Sequence, residues 1–204
     1  MEKILVTDLS EKEQAIWMPI VQRFAKKYGV NVEDFRCYRK EECIPFNSTS
    51  GERRVFSNFY ECSLDYDRHW FGSSEQLYYY LCAGQRPDIQ ELILQQPNAL
   101  AVKKLHLDDG CIGARWSKER LTNMKIAIET KFWQCAEFGS ALMRTENYPL
   151  VEFAYWWDLF WGCTTNNDSD YYVGVNATGR ILMGVREEER NKIAKNNEFV
   201  INYI

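Results

Sequence analysis

Helix-start signals recur along this chain so closely that little room is left for extended sheet. Ser10-x-x-Glu13 and Ser73-x-x-Gln76 have the capping-box form, in which two side chains satisfy the first free N–H groups of a helix. Pro87 and Pro97 suit the first turn of short helices, with Asp88 adding favourable charge, while Ser117 and Asn176 stand as caps before two longer helical patterns. The apolar spacing agrees with these starts. Ile16, Trp17, Ile20, Val21, Phe24 and Tyr28 form one stripe closed by Gly29, with Pro19 expected to bend that helix or mark its start. Leu121, Met124, Ile128, Phe132 and Cys135 form a second stripe, which Gly139 is placed to interrupt. Strand-like alternation is confined to "RRVFSNFY" and "CSLDYDRHWF", read as two modest strands with a turn near Glu61. The expected fold class is mainly α with a few short antiparallel strands.

A chain of 204 residues is long enough to bury one substantial core. Val30 to Arg54 reads as a polar, irregular surface connection, which puts a boundary near Pro45: an N-terminal helical extension over 1–45 and the main domain over 46–204. The stretch "LVEFAYWWDLFWG" is too aromatic for free loop, and "TTNNDSD" is too polar for burial. With 29 acidic against 25 basic residues and a net charge of -4, no overall field draws the chain to nucleic acid or anionic membrane, although a local basic patch stays open. No stretch approaches the roughly 20 apolar residues of a membrane span. The opening "MEKILVTDLSEKEQ" has acids where an export signal needs an apolar run, and the seven scattered cysteines read as reduced thiols, so a cytoplasmic protein is expected. No C-x-x-C pair exists and His69 and His106 lie far apart, so no metal site is expected.

Two acids stand out chemically. Glu75, at the second position of a helix, is favoured by the positive end of that helix and disfavoured by burial among the aromatics around it. It reads either as a first-turn acid or as a carboxylate held beside a substrate. Asp158 is flanked by Trp156, Trp157 and Trp161, so it occupies a surface lip or faces a polar pocket, unless the indoles are core and Asp158 a turn residue. Glu152 in "LVEF" poses the same question more weakly, and Trp116 is equally open. "GVNATG" opens a helix between glycines, where a backbone can approach phosphate, but it matches neither a P-loop nor G-x-G-x-x-G.

The order of the short elements is more specific than any one of them. "FSNFY", "SSEQ" at a helix start, Trp116 before a long helix containing "KFWQ", then "LVE", "DLFWG" and "GVNATGRILMGVR" together resemble the NADAR (YbiA-like) family, from Phe56 to Glu188. The resemblance implies a YbiA-like fold with a pocket for a ribosylated nucleotide, and N-glycosidase activity that cuts a ribose C1–N bond. The substrates implied are phosphoribosyl intermediates of riboflavin biosynthesis or ADP-ribosylated guanine, the latter as a small molecule or as an adduct on nucleic acid, with no cofactor, metal or membrane involved. Glu75 matches the family's catalytic Glu, and Asp158 is placed to orient ribose hydroxyls. Asn58, Trp116, Trp161, Gly162, Gly174, Asn176, Gly179 and Arg186 are carried over as substrate-binding positions converging on one hollow.

The sequence also departs from the family pattern. Gln76 and Cys82 stand where members usually have His and a Lys suggested to form a Schiff base, and Leu105 and His106 stand where Gly-Arg is usual. A thiol cannot form an imine. Either Lys103 or Lys104 reaches the site, or hydrolysis runs through Glu75 alone, or catalysis is weakened and the chain is an ADP-ribose or nucleotide-binding module acting as a sensor.

Overall fold

The computed structural model describes residues 4–107, 116–155 and 158–201, with the side chains of 116–118 and 196–201 outside that description. The helices are α1 (Glu11–Tyr28), α2 (Ser74–Ala83), α3 (Pro87–Leu94), α4 (Ala99–Lys103), α5 (Trp116–Gln134), α6 (Ala136–Arg144) and α7 (Ala177–Ile201). The strands are β1 (Arg36–Arg39), β2 (Ile44–Phe46), β3 (Leu64–Tyr66), β4 (His69–Phe71), β5 (Leu150–Glu152), β6 (Thr164–Thr165) and β7 (Tyr171–Gly174). They fall into two compact units, Met1–Arg53 with Thr145–Met183 and Arg54–Arg144 with Gly184–Ile204. Among the described residues no helix is long and apolar enough to cross a membrane.

In the first unit α1 starts as its motif predicts, with the Ser10 hydroxyl accepting from the Glu13 N–H. Glu13 does not complete the box. Its carboxylate turns inward, accepting from the indole Nε1 of Trp17 at 3.1 Å and from the N–H of Asp170 at 3.0 Å, while the same indole also donates to Ser169 Oγ at 2.8 Å. A charge-assisted network therefore surrounds a fully buried tryptophan. Pro19 lies inside α1 and is not its start. Gly29, at φ 64°, ends the helix in the left-handed conformation that a missing Cβ makes easy. The face of Trp17, Val21, Phe24 and Ala25 packs into a core with Phe35, Cys37, Leu159, Val173 and Val175.

Val30 to Arg54 is not the irregular connection expected from its polarity. β1 pairs antiparallel with β7, Cys37 opposite Val173, and β2 pairs parallel with β5, Ile44 opposite Leu150. Pro45 lies within β2, and Phe35 and Phe46 are fully buried. These strands are too short to show a period of two, and their partners lie more than 100 residues away in sequence. β6 completes the sheet β1-β7-β6.

The second unit corrects the hairpin. "RRVFSNFY" lies in a 3-10 helix, Gly51–Phe56, and the turns after it, whereas "CSLDYDRHWF" supplies both β3 and β4. The turn is at Asp67 and Arg68, both at positive φ (48° and 65°), and not near Glu61. α2 begins where Ser73 Oγ accepts from the Gln76 N–H, and it stops before Gly84. Again the second half of the box is used elsewhere: Gln76 accepts from the Gly72 N–H and donates to the carbonyls of Ile93 and Gln96, tying α2 to the end of α3. Pro87 opens α3 as expected, but α4 starts at Ala99 with Asn98 as its cap, so Pro97 stands before the first turn and not in it. α5 starts one residue before Ser117, and the break after it falls at Cys135. Gly139 lies inside α6, where a Cβ would meet the Phe132 carbonyl at 3.0 Å, so its small size serves the packing of α6 on α5. Met124 and Ile128 are buried as expected, but Leu121 is exposed, so the stripe begins one turn later.

Glu13→Ala should therefore leave the Asp170 N–H without its acceptor and lower stability by about 1–3 kcal/mol, read as a lower urea midpoint with an unchanged slope.

Candidate functional site

The mouth of α2 is held by a turn of the chain that precedes the hairpin. Ser73 is extended (φ -169°, ψ 162°), so the helix begins abruptly and the next two residues enter with their N–H groups directed outward. The Glu75 N–H donates to the Asn58 carbonyl at 3.0 Å. Ser74 Oγ donates to the Asn58 carbonyl at 3.3 Å and to Asn58 Oδ1 at 3.1 Å, and Asn58 Nδ2 contacts Met124 Sδ at 3.2 Å. Asn58, Ser74 and Glu75 are all buried, Glu75 at 7% exposure. The dipole of the helix start favours a negative charge at this position, against the cost of its burial.

Tyr78 and Cys82 follow Glu75 at helical spacing, one and two turns on, so the three share one face of α2. Cys82 Sγ takes a contact from Asn123 Nδ2 of α5 at 3.4 Å and lies beside the Tyr78 hydroxyl. Burial pushes the thiol up to about 11, against the donors from Asn123 and Tyr78, and the charges of Glu119 and Glu75 add to the rise. The Tyr78 hydroxyl is raised far above its ordinary range, first by burial and then by Cys82 and Glu75. At neutral pH the carboxylate therefore has a neutral thiol and a neutral phenol for neighbours, and no thiolate nucleophile is available. Lys103, one of the lysines weighed as a substitute, lies with Nζ 5.1 Å from the centre of the Phe59 ring, next in sequence to Asn58. Arg186 of α7 is 5% exposed, its guanidinium pushed below its ordinary range by burial and by Arg190. Trp116 opens α5, but its side chain lies outside the described residues.

The residues singled out in the first unit have a different character. Asp158 Oδ1 accepts from the N–H groups of Phe160 (3.3 Å) and Trp161 (3.2 Å), and its carbonyl accepts from Gly162, so Asp158 organises a tight turn. Trp161 is partly exposed and meets Phe160 edge-on at 5.0 Å. Trp156 and Trp157 lie outside the described residues. Asn176 is fully buried at φ 54°, and its amide accepts from the Glu152 N–H at 3.1 Å and donates to the Leu150 carbonyl at 2.9 Å. The side chain is a latch from β5 to the start of α7. The glycines serve the same packing: a Cβ would stand 2.5 Å from the Glu152 carbonyl at Gly162, 2.2 Å from the Gly162 carbonyl at Gly174, and 2.2 Å from the Leu150 carbonyl at Gly179. At each of these positions backbone passes where a side chain would stand, so packing alone already requires glycine there.

Within the second unit the structure thus brings Asn58 to Glu75, and within the first it brings Asp158 to Trp161 and Gly162, and Asn176 to Gly179. Sequence reasoning missed Tyr78 and Asn123. Tyr78 carries a signal in its three-residue spacing from Glu75, whereas nothing in the sequence marks Asn123, which reaches Cys82 only through the packing of α5 on α2. Among the described residues no cluster of three His, Cys, Asp or Glu side chains can hold a metal ion.

Comparison with known proteins follows these lines. The family model described as the NADAR domain matches residues 45–190. A riboflavin biosynthesis protein of Vibrio vulnificus is 30% identical over 159 residues, covering 76% of this chain and 41% of the relative. An N-glycosidase of Nostoc punctiforme is 35% identical over 79 residues, covering 39% of this chain and 47% of the relative. The chain spans less than half the length of these curated relatives. The NMR structure of the E. coli protein YbiA matches with a TM-score of 0.65 at 24% identity, over 77% of this chain and 90% of that one, which establishes the YbiA-like, mainly α fold.

Two glycine replacements separate packing from helix propensity. Gly174→Ala should lower stability by roughly 3 kcal/mol or more, because backbone lies where the methyl must go. Gly184→Ala, in open space inside α7, should raise stability by about 1 kcal/mol, both read by thermal unfolding.

Proposed function

Because the chain belongs to the NADAR family, we propose that it is an N-glycosidase that hydrolyses the ribose C1–N bond of a ribosylated nucleotide-like substrate, with Glu75 as its catalytic carboxylate. The observation that carries this reading is the burial of Glu75 at a helix mouth whose backbone is fixed by Asn58. The names of the relatives, a riboflavin biosynthesis protein and an N-glycosidase, support the reaction class. The substrate is accordingly a phosphoribosyl intermediate of riboflavin biosynthesis or an ADP-ribosylated guanine.

The chemistry suits a single buried carboxylate. As the C1–N bond breaks, its electron pair leaves with the base and positive charge spreads over C1 and the ring oxygen of the ribose. Glu75 stabilises that charge, takes one proton from the attacking water and passes it to the departing base nitrogen, so that C1 gains the hydroxyl, the base leaves neutral and the carboxylate is regenerated. Arg186 is assigned to the phosphate, for which a fixed guanidinium fork is suited. Cys82 takes no covalent part: as a protonated thiol it neither attacks C1 nor forms an imine, and direct hydrolysis through Glu75 is the proposed course, with Lys103 or Lys104 the alternative source of an imine.

The second reading, a nucleotide or ADP-ribose sensor with weakened catalysis, is favoured by the same Cys82, since the family's lysine is missing. Release of free base from a phosphoribosyl aminopyrimidine and from ADP-ribosyl-guanosine, measured beside calorimetric binding of each, separates the two. Glu75→Gln should remain folded and lose about a hundredfold or more in kcat. Cys82→Ala should keep turnover within about threefold of wild type, because the thiol is a bystander. Binding without turnover in the wild type would install the sensor reading, and loss of turnover in Cys82→Ala would refute direct hydrolysis.

A further inference from the structure

Lys131 on α5 is 1% exposed, yet the chemistry above gives it no part. Its Nζ donates to the carbonyls of Val55 and Ser57, both at 2.8 Å, and lies 4.5 Å from the centre of the Phe138 ring and 5.3 Å from that of Tyr60. The other groups facing it are the thiols of Cys62 and Cys135, and the Tyr60 hydroxyl is itself bonded to the Glu137 carboxylate, with Arg54 over the same ring. Burying an ammonium is costly, and an apolar side chain of similar length would fill this volume at lower cost. What the ammonium supplies and a methionine does not is a pair of charge-assisted donors that draw two carbonyls, two residues apart, toward one point.

Those carbonyls belong to the turn that carries Asn58. One peptide bond beyond the Ser57 carbonyl, Asn58 presents its own carbonyl to the Glu75 N–H and to Ser74 Oγ. The contacts form an unbroken line from Lys131 through Val55 and Ser57 to Asn58 and the mouth of α2. We infer that Lys131 is a positioning residue, which fixes the 55–58 turn and through it the placement of the Glu75 carboxylate. In its kinetic part this rests on the N-glycosidase reading; in its structural part it stands alone.

Burial lowers Lys131 to about 8 from its ordinary value near 10.5. A depressed pKa contributes stability that is present above the ordinary value and lost as pH falls through the folded one, so at neutral pH the buried charge works against stability. Removing the charge relieves that cost and also takes the donors from two carbonyls, so stability should change little while the placement of Glu75 is lost.

Lys131→Met tests this. The expected result is a folded variant with a melting temperature within a few degrees of wild type, kcat at least about tenfold lower with KM within about threefold, and exchange of the Glu75 amide hydrogen at least about tenfold faster. A folded variant with kcat and Glu75 exchange unchanged overturns the inference, as does a fall in melting temperature and kcat together with exchange unchanged. If the variant does not fold, the wild type still decides: the Glu75 amide must be protected like that of Leu77, whose acceptor is local to α2, and free exchange at Glu75 overturns the inference. If the wild type shows no turnover on any riboside, the N-glycosidase reading fails, and the exchange measurement alone settles the role of Lys131.

Discussion

The first N–H groups of an α-helix have no partners within it, and the means by which this chain satisfies them shapes everything built on its helices. At α1 and α2 a serine takes one N–H, as the sequence pattern requires, and the residue three positions on is used for something larger. Glu13 binds an indole and a distant backbone N–H; Gln76 joins the start of α2 to the end of α3. Each helix start is thus also a tertiary joint. At α2 the N–H of Glu75 is supplied with an acceptor by Asn58, which joins the helix start to the turn before the hairpin.

How far the fold was readable from the sequence follows from the range of the interactions involved. Serine caps, terminal glycines and apolar stripes act within a few residues, and α1, α2 and α3 lie where those signals put them. β1 and β2 were hidden because strands of three or four residues are defined by partners that only folding brings near. The hairpin was misplaced for a related reason. "RRVFSNFY" alternates like a strand, but its carbonyls are taken by Lys131 and its turns lead into α2, while Asp67 and Arg68 tolerate positive φ without the usual glycine. Gly139 looked like a helix breaker and is instead a contact point for the preceding helix.

The candidate site divides along the same line. Glu75 was readable because its motif lies within one helix turn, but the environment that gives it a chemical character comes from Asn58, Tyr78, Asn123 and Met124, which no local pattern groups together. Conversely, Gly162, Gly174, Asn176 and Gly179 form a conspicuous sequence pattern whose cause is geometric: two backbones pass so closely that no Cβ fits, and one asparagine amide bridges them. At Cys82, where the family resemblance leads one to expect lysine, a neutral thiol fills space between α2 and α5, in contact with Asn123 and beside Tyr78.

That neutral thiol has an implication for chemical durability. Peroxides and alkylating agents act on thiolates, and oxidation advances only as fast as the sulfur ionises. With its proton held far into the alkaline range, Cys82 is shielded from such damage although it stands beside the proposed reaction centre. On the proposed reading, the reaction therefore does not depend on an ionised sulfur that such reagents could reach.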